Sequence, residues 1–181
     1  MVYNLIMINK SQLISALTAN HMYEQNMVYA IDEQGREQLI TSFSDFCKVQ
    51  KQNHSIKIER MENFNSTIYE YCWKVKTDWE HGQHVTCHLF FASAGSYSFS
   101  MHTDPDDVII YCCEGSKSLI INDKPVTISP REYIHIPANT PHQALNKDEA
   151  LTLSFGLENY TEDKINNELA DVSQNNRNMS A

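Results

Sequence analysis

The chain changes its hydrophobic period once. Over residues 1–53 the apolar positions recur at helical spacing. Leu13, Ile14 and Leu17 follow Asn9 and Ser11, either of which can cap a helix. Phe43, Phe46, Cys47 and Val49 form a second stripe behind Ser42 or Ser44. Between the two, residues 28–31 read as a short strand and Gly35 as a turn. From Ser55 the spacing shortens. Ile56, Ile58 and Met61 alternate with polar residues, and residues 69–75 are rich in aromatic and branched side chains, so both stretches read as strands. Further strand-like runs follow at 85–91, 97–102, 108–113, 118–121, 133–136 and 151–155, with turn residues between them. Many short strands with few helices among them predict a mainly β fold, a sandwich or barrel. Residues 159–172 carry Ile165, Leu169 and Val172 at helical spacing, and the polar stretch after them reads as disordered. The expected organisation is a mainly helical region over 1–54 packed on a β-barrel over 55–158, then a C-terminal helix and tail over 159–181.

Composition narrows the function classes. A chain of 181 residues suits one domain and can bury a core without disulfides. Its net charge is −9 and its basic residues are scattered, which argues against nucleic acid as a partner. The five cysteines show no CxxC pair, and adjacent Cys112 and Cys113 read as opposite faces of one strand. A reducing, cytoplasmic setting is the expectation. No apolar run is long enough to span a membrane, and MVYNLIMINK lacks the basic start and cleavage site of a leader. The apolar face of the tail leaves a homodimer open.

The chemistry concentrates in residues 98–146. His102 and Asp104 lie two apart at the end of an alternating run, so their side chains can share a face. His142 follows a turn stiffened by Pro137 and Pro141. Two neutral imidazoles and one carboxylate make the facial triad that holds non-haem Fe(II) and leaves positions open. The reading is that His102, Asp104 and His142 bind one metal and carry the catalysis. Lys117 follows Gly115 at the start of the next strand. A buried ammonium near a metal needs an anion, and a dicarboxylate co-substrate would supply it.

These residues resemble the JmjC-type and related cupin 2-oxoglutarate oxygenases. The resemblance rests on His102-Thr103-Asp104, the apolar run 108–113, Gly115-Ser116-Lys117, and Ile136-Pro137 leading to His142. It covers roughly 85–157. It implies a double-stranded β-helix, also called a jelly roll or cupin barrel, with Fe(II) on His102, Asp104 and His142. It also implies 2-oxoglutarate on Lys117, oxidative decarboxylation to succinate and CO2, and hydroxylation of a small-molecule or peptide substrate. A hydroxyl that helps Lys117 is expected, with Thr86 and Ser100 the candidates carried forward and Ser98 and Thr152 as alternatives. Other readings keep part of this set: a metal-dependent cupin enzyme that does not use 2-oxoglutarate, and a non-enzymatic cupin that binds a small ligand.

Several residues could modify the site. His84 and His88 share a face with Thr86 and could line its mouth. His135 could stand behind it, and Asp107 could replace Asp104. Cys112 falls on a strand expected to line the barrel, where a thiol beside iron would be a liability. Trp73 and Trp79 read as core or sheet cover.

Overall fold

The computed structural model describes residues 8–18 and 21–160. Ten strands form two antiparallel sheets. They are β1 (Val28–Ile31), β2 (Glu37–Leu39), β3 (Ser55–Ile58), β4 (Val85–Ala92), β5 (Asp107–Gly115), β6 (Lys117–Ile121), β7 (Lys124–Ile128), β8 (Tyr133–Ile136), β9 (His142–Ala144) and β10 (Ala150–Leu157). The large sheet runs β2-β1-β3-β4-β10-β5-β8, and the small one β7-β6-β9. The helices are α1 (Lys10–Thr18), α2 (His21–Glu24), α3 (Phe43–Gln50) and α4 (Ser66–Asp78). The two sheets face one another as a jelly roll, which is the expected mainly β fold.

Local chemistry explains most boundaries. The Asn9 side chain accepts from Gln12 N and starts α1, and Ser42 accepts from Asp45 N to start α3. The β6–β7 hairpin turns on Asn122 and Asp123, both with positive φ, as a tight primed turn requires. The β1–β2 hairpin is tied by Asp32, whose buried carboxylate accepts from the Gln34 and Arg36 amides and from the Arg36 and Gln38 side chains.

The packing divides by face. Ile109, Tyr111 and Cys113 of β5 join Cys87, Leu89, Phe91, Leu151, Leu153 and Phe155 in the main core, under the helices. Val108, Ile110 and Cys112 of the same strand join Leu119, Ile128 and Ile136 between the sheets. Strand alternation thus puts the two neighbouring cysteines on opposite faces, as read.

Four expectations change. Residues 69–75 are helix, not strand. Asn65 accepts from Ile68 N, and the buried Ile68, Tyr71, Cys72 and Val75 keep helical spacing, whereas Tyr69 and Trp73 are exposed. Trp73 therefore covers no core, while Trp79 does pack on it. Residues 97–102 are an irregular strap, not a strand, because their backbone bonds go to several elements instead of one ladder. The N-terminal region does not only pack on the barrel: β1 pairs with β3 and extends the large sheet. Strand β7 was not foreseen; its exposed, proline-containing Lys124–Ile128 segment gives little apolar signal at the sheet edge. The helix expected over 159–172 and the tail after it lie outside the described residues, apart from Asn159 and Tyr160.

Candidate metal centre

Two remote pieces of chain meet at one backbone pair. His102 N donates to His142 O at 3.1 Å, and His142 N donates to His102 O at 2.9 Å. This reciprocal exchange fixes the two α-carbons opposite each other, as in an antiparallel ladder. The imidazole centroids are 4.4 Å apart. Asp104 completes the group, and one ligand atom from each of His102, Asp104 and His142 lies within 4.8 Å of the others.

Both rings are aimed by their own neighbours. Nδ1 of His102 lies 2.8 Å from Ser100 O, and Nδ1 of His142 lies 2.9 Å from Thr140 O. A carbonyl can only accept, so each Nδ1 carries the proton and each Nε2 keeps a lone pair for a metal. The donor set therefore fits Fe(II) or a similar divalent ion with open positions. His142 Nε2 sits 3.4 Å from Asp104 Oδ2. That hydrogen bond raises the His142 pKa above its ordinary value and lowers that of Asp104 below the carboxylate range.

The turn before His142 is fastened to the segment that carries His102 and Asp104. Asn139, with φ of 60°, donates its N–H to Asp104 O at 2.7 Å. Asp107 accepts from Ala138 N and pairs with His135 Nε2, each at 2.8 Å. Asp107 thus supports the turn and does not replace Asp104. His135 meets Trp79 in a tilted ring contact, with centroids 4.4 Å apart, and stands outside the metal group.

The triad opens into a cavity of about 590 Å³. Lys117 lines it and is buried, with Nζ donating to Asn146 Oδ1 at 3.0 Å. Burial holds the Lys117 ammonium down at about 8. Gly115 makes this placement achievable. Its φ is +78°, and a Cβ there would stand 1.9 Å from Glu149 O, so only glycine lets β5 turn so tightly into Lys117. His142 pairs with Ile121 at the other end of β6, so triad and ammonium mark two ends of one wall.

The four candidate hydroxyls all line the cavity. Thr86 lies at the Gly156 end of β10 and donates to Glu158 Oε1, so it is not brought to Lys117. Thr152 is two strand residues from Ala150, which pairs with Gly115, and so lies at the Lys117 end. Ser100 sits on the strap beside His102, where its carbonyl serves the ligand. Asn146, which holds Lys117, was missed by sequence reading; a lone loop asparagine carries no signal until the fold brings it 29 residues back to the lysine. His88 lines the cavity, as its face predicted, with a buried Nδ1 that has no hydrogen-bond partner among the described residues. His84 turns away, toward Glu62 and a separate shallow groove. Cys112 is not a cavity wall. It packs in the inter-sheet core, its thiol donates to the Glu114 and Gly115 carbonyls, and burial raises its pKa.

Residues 89–156 match the family model of the cupin domain. The fold and the two-histidine, one-carboxylate group define a cupin-fold protein with a candidate metal centre. Among solved structures, the chain is similar to YcfD, a ribosomal oxygenase from Escherichia coli in complex with cobalt and succinic acid. The TM-score is 0.68 at 14% identity over 97% of this chain and 51% of that one. The YcfD complex with cobalt and 2-oxoglutarate gives a TM-score of 0.67 at 15% identity, with the same coverage. At these identities the likeness is one of fold, and this chain spans about half the length of those structures. No curated protein matches the sequence. Among the described residues no helix is long and apolar enough to cross a membrane.

Proposed function

We propose that this protein is an Fe(II)- and 2-oxoglutarate-dependent oxygenase, most naturally a hydroxylase of an amino-acid, peptide or protein, or natural-product substrate. The carrying observation is the pairing of an open triad with a buried lysine in one cavity. Among the described residues Lys117 has only a neutral partner, Asn146, which does not offset the cost of burying its charge. A carboxylate arriving from the cavity would offset it, and a dicarboxylate could reach the metal with its other end. That the YcfD complexes hold 2-oxoglutarate or succinate with cobalt on the same fold supports the reading.

In this scheme His102, Asp104 and His142 would hold Fe(II). The bound metal would supply oxygen activation coupled to decarboxylation of the co-substrate. The chain's own residues do the rest. Lys117 anchors the distal carboxylate, with Thr152 the hydroxyl best placed to share it. The inter-sheet core of Val108, Ile110 and Leu119 keeps water from the inner wall. The outer part of the cavity is left for substrate. It carries Glu37, Asp106 and Glu158, while its lysine there, Lys57, is already bound by Glu37 and Glu59. A cationic or donor-rich group suits that balance.

Anaerobic titration with Fe(II) and 2-oxoglutarate should produce a weak visible charge-transfer band, and succinate should form in air. Absence of both overturns the proposal. A metal-dependent cupin that does not use 2-oxoglutarate is the rival, because Asn146 already occupies the ammonium. It predicts that Lys117→Ala leaves metal binding and activity intact. The oxygenase reading predicts loss of co-substrate affinity with metal binding retained.

A further inference from the structure

The strap of residues 97–102 delivers the first metal ligand, yet it belongs to no ladder until His102. Its backbone is held by distant groups. Tyr97 N donates to Asn53 O at 2.8 Å. Tyr97 O accepts from the buried Ser55 hydroxyl and, at 3.1 Å, from Asn146 Nδ2. Phe99 O accepts from Gln143 Nε2 at 3.3 Å. The tip of the β1–β2 hairpin closes the other side. A Cβ built on Gly35 would stand 3.1 Å from Ser100 N, 3.3 Å from Ser98 O and 3.4 Å from the Phe99 Cα. The strap therefore leaves no room for a side chain at Gly35. The tip itself is firm, because Gly35 N donates to Asp32 O at 2.9 Å and the Asp32 carboxylate gathers four further donors.

We infer that the tip of the β1–β2 hairpin and the start of β3 together position the metal centre: Gly35 and Ser55 fix the strap so that the Ser100 carbonyl aims the His102 imidazole. The chain of contacts is short. A side chain at position 35 would crowd the Ser100 amide, and the Ser100 carbonyl accepts the hydrogen bond of His102 Nδ1 at 2.8 Å. Displacing the strap by a few tenths of an ångström turns the ring or frees its tautomer, and either weakens the ligand. The N-terminal region thus serves the metal from outside the ligand set. This rests on the metal reading above.

The test is Co(II) binding to the full chain, followed by visible absorption of the bound ion and by its dissociation constant. Gly35→Ala adds the Cβ that the strap excludes, and Ser55→Ala removes a strap anchor. Both should weaken Co(II) about 10–100-fold, as the loss of outer-shell support does elsewhere, and should alter the Co(II) spectrum. Gly95→Ala is the control. Gly95 also has a positive φ, +74°, but a Cβ there meets nothing within 4 Å, so it carries backbone strain without the contact. It should leave affinity and spectrum unchanged. Wild-type affinity in folded Gly35→Ala, or an equal loss in Gly95→Ala, overturns the brace. Should Gly35→Ala fail to fold, Ser55→Ala decides alone. If the unsubstituted protein itself binds no Co(II), the metal reading falls and the brace with it.

Discussion

Strands β4, β10 and β5 present two unlike faces. Toward the helices they offer Cys87, Leu89, Phe91, Leu151, Leu153, Phe155, Ile109, Tyr111 and Cys113, all buried in one apolar core. Toward the small sheet β4 and β10 offer Thr86, His88, Phe90, Thr152, Ser154 and Gly156, which line the cavity. The two sets interleave residue by residue. One face is filled to hold the fold, and on β4 and β10 the other is left hollow, with polar side chains set among apolar ones. The difference teaches that stability and chemistry are written on alternate residues of the same strands, so substitutions one position apart should act on separate properties.

The largest effect expected is on the closed face. Leu89 is fully buried, and Leu89→Ala should cost about 2–5 kcal/mol of stability through lost burial and a residual cavity. Its neighbour His88 faces the hollow side, so His88→Ala should leave the denaturation midpoint nearly unchanged while altering substrate affinity. Chemical denaturation of both variants checks this. Equal destabilisation by the two would erase the contrast.

Next comes the floor of the hollow face. Asn146 is buried and bonds Lys117 as well as Ser96 and Tyr97. Asn146→Ala should cost about 1–3 kcal/mol, because it strands a buried ammonium and takes a donor from the Ser96 carbonyl, while the Tyr97 carbonyl keeps the Ser55 hydroxyl. Added 2-oxoglutarate should restore part of the loss by supplying the missing partner, and thermal shift with and without it measures that recovery. Asp107→Ala should act more weakly on stability but reach the metal. It frees Ala138 N in the turn that carries His142. A 10–100-fold loss of metal affinity is expected, equivalent to about 1.4–2.7 kcal/mol. Calorimetric titration with Co(II) reads it directly.

The same contrast explains what could be read from the chain. Alternation marked β4 and β10, whereas β5 was marked by a continuous apolar run that is buried on both faces. The triad was legible because His102 and Asp104 end such a run and His142 follows two prolines. Residues 69–75 misled because Tyr69 and Trp73, which look like strand residues, are exposed on α4, and the buried residues beside them keep the helical period. Strand β2 is exposed throughout, so it left no apolar trace. The roles of Asn146, Gly35 and Ser55 depend on partners far along the chain. No local pattern announces such contacts, and only the fold brings them together.

The smallest effect separates fold from site by pH. In the metal-free protein His142 and Asp104 share a hydrogen bond that raises the His142 pKa above 6.5 and lowers that of Asp104 below 3.8. For Asp104 the stabilisation is complete above 3.8 and is lost as pH falls through its lower folded value. For His142 it is complete below 6.5 and is lost as pH rises through its higher folded value. The pair therefore supports the apo fold most between those limits. Metal binding runs the other way on the alkaline side, since the ion needs the His142 lone pair and must displace the proton. From pH 6 to 8, apo stability contributed by this pair should fall while Co(II) affinity rises. Asp104→Asn should flatten the stability slope, because the neutral amide no longer favours a charged imidazole. It should also lower metal affinity at every pH, because it removes a ligand. Parallel slopes in the wild type, or an unchanged stability slope in Asp104→Asn, would mean that the proton and the metal do not compete for one site.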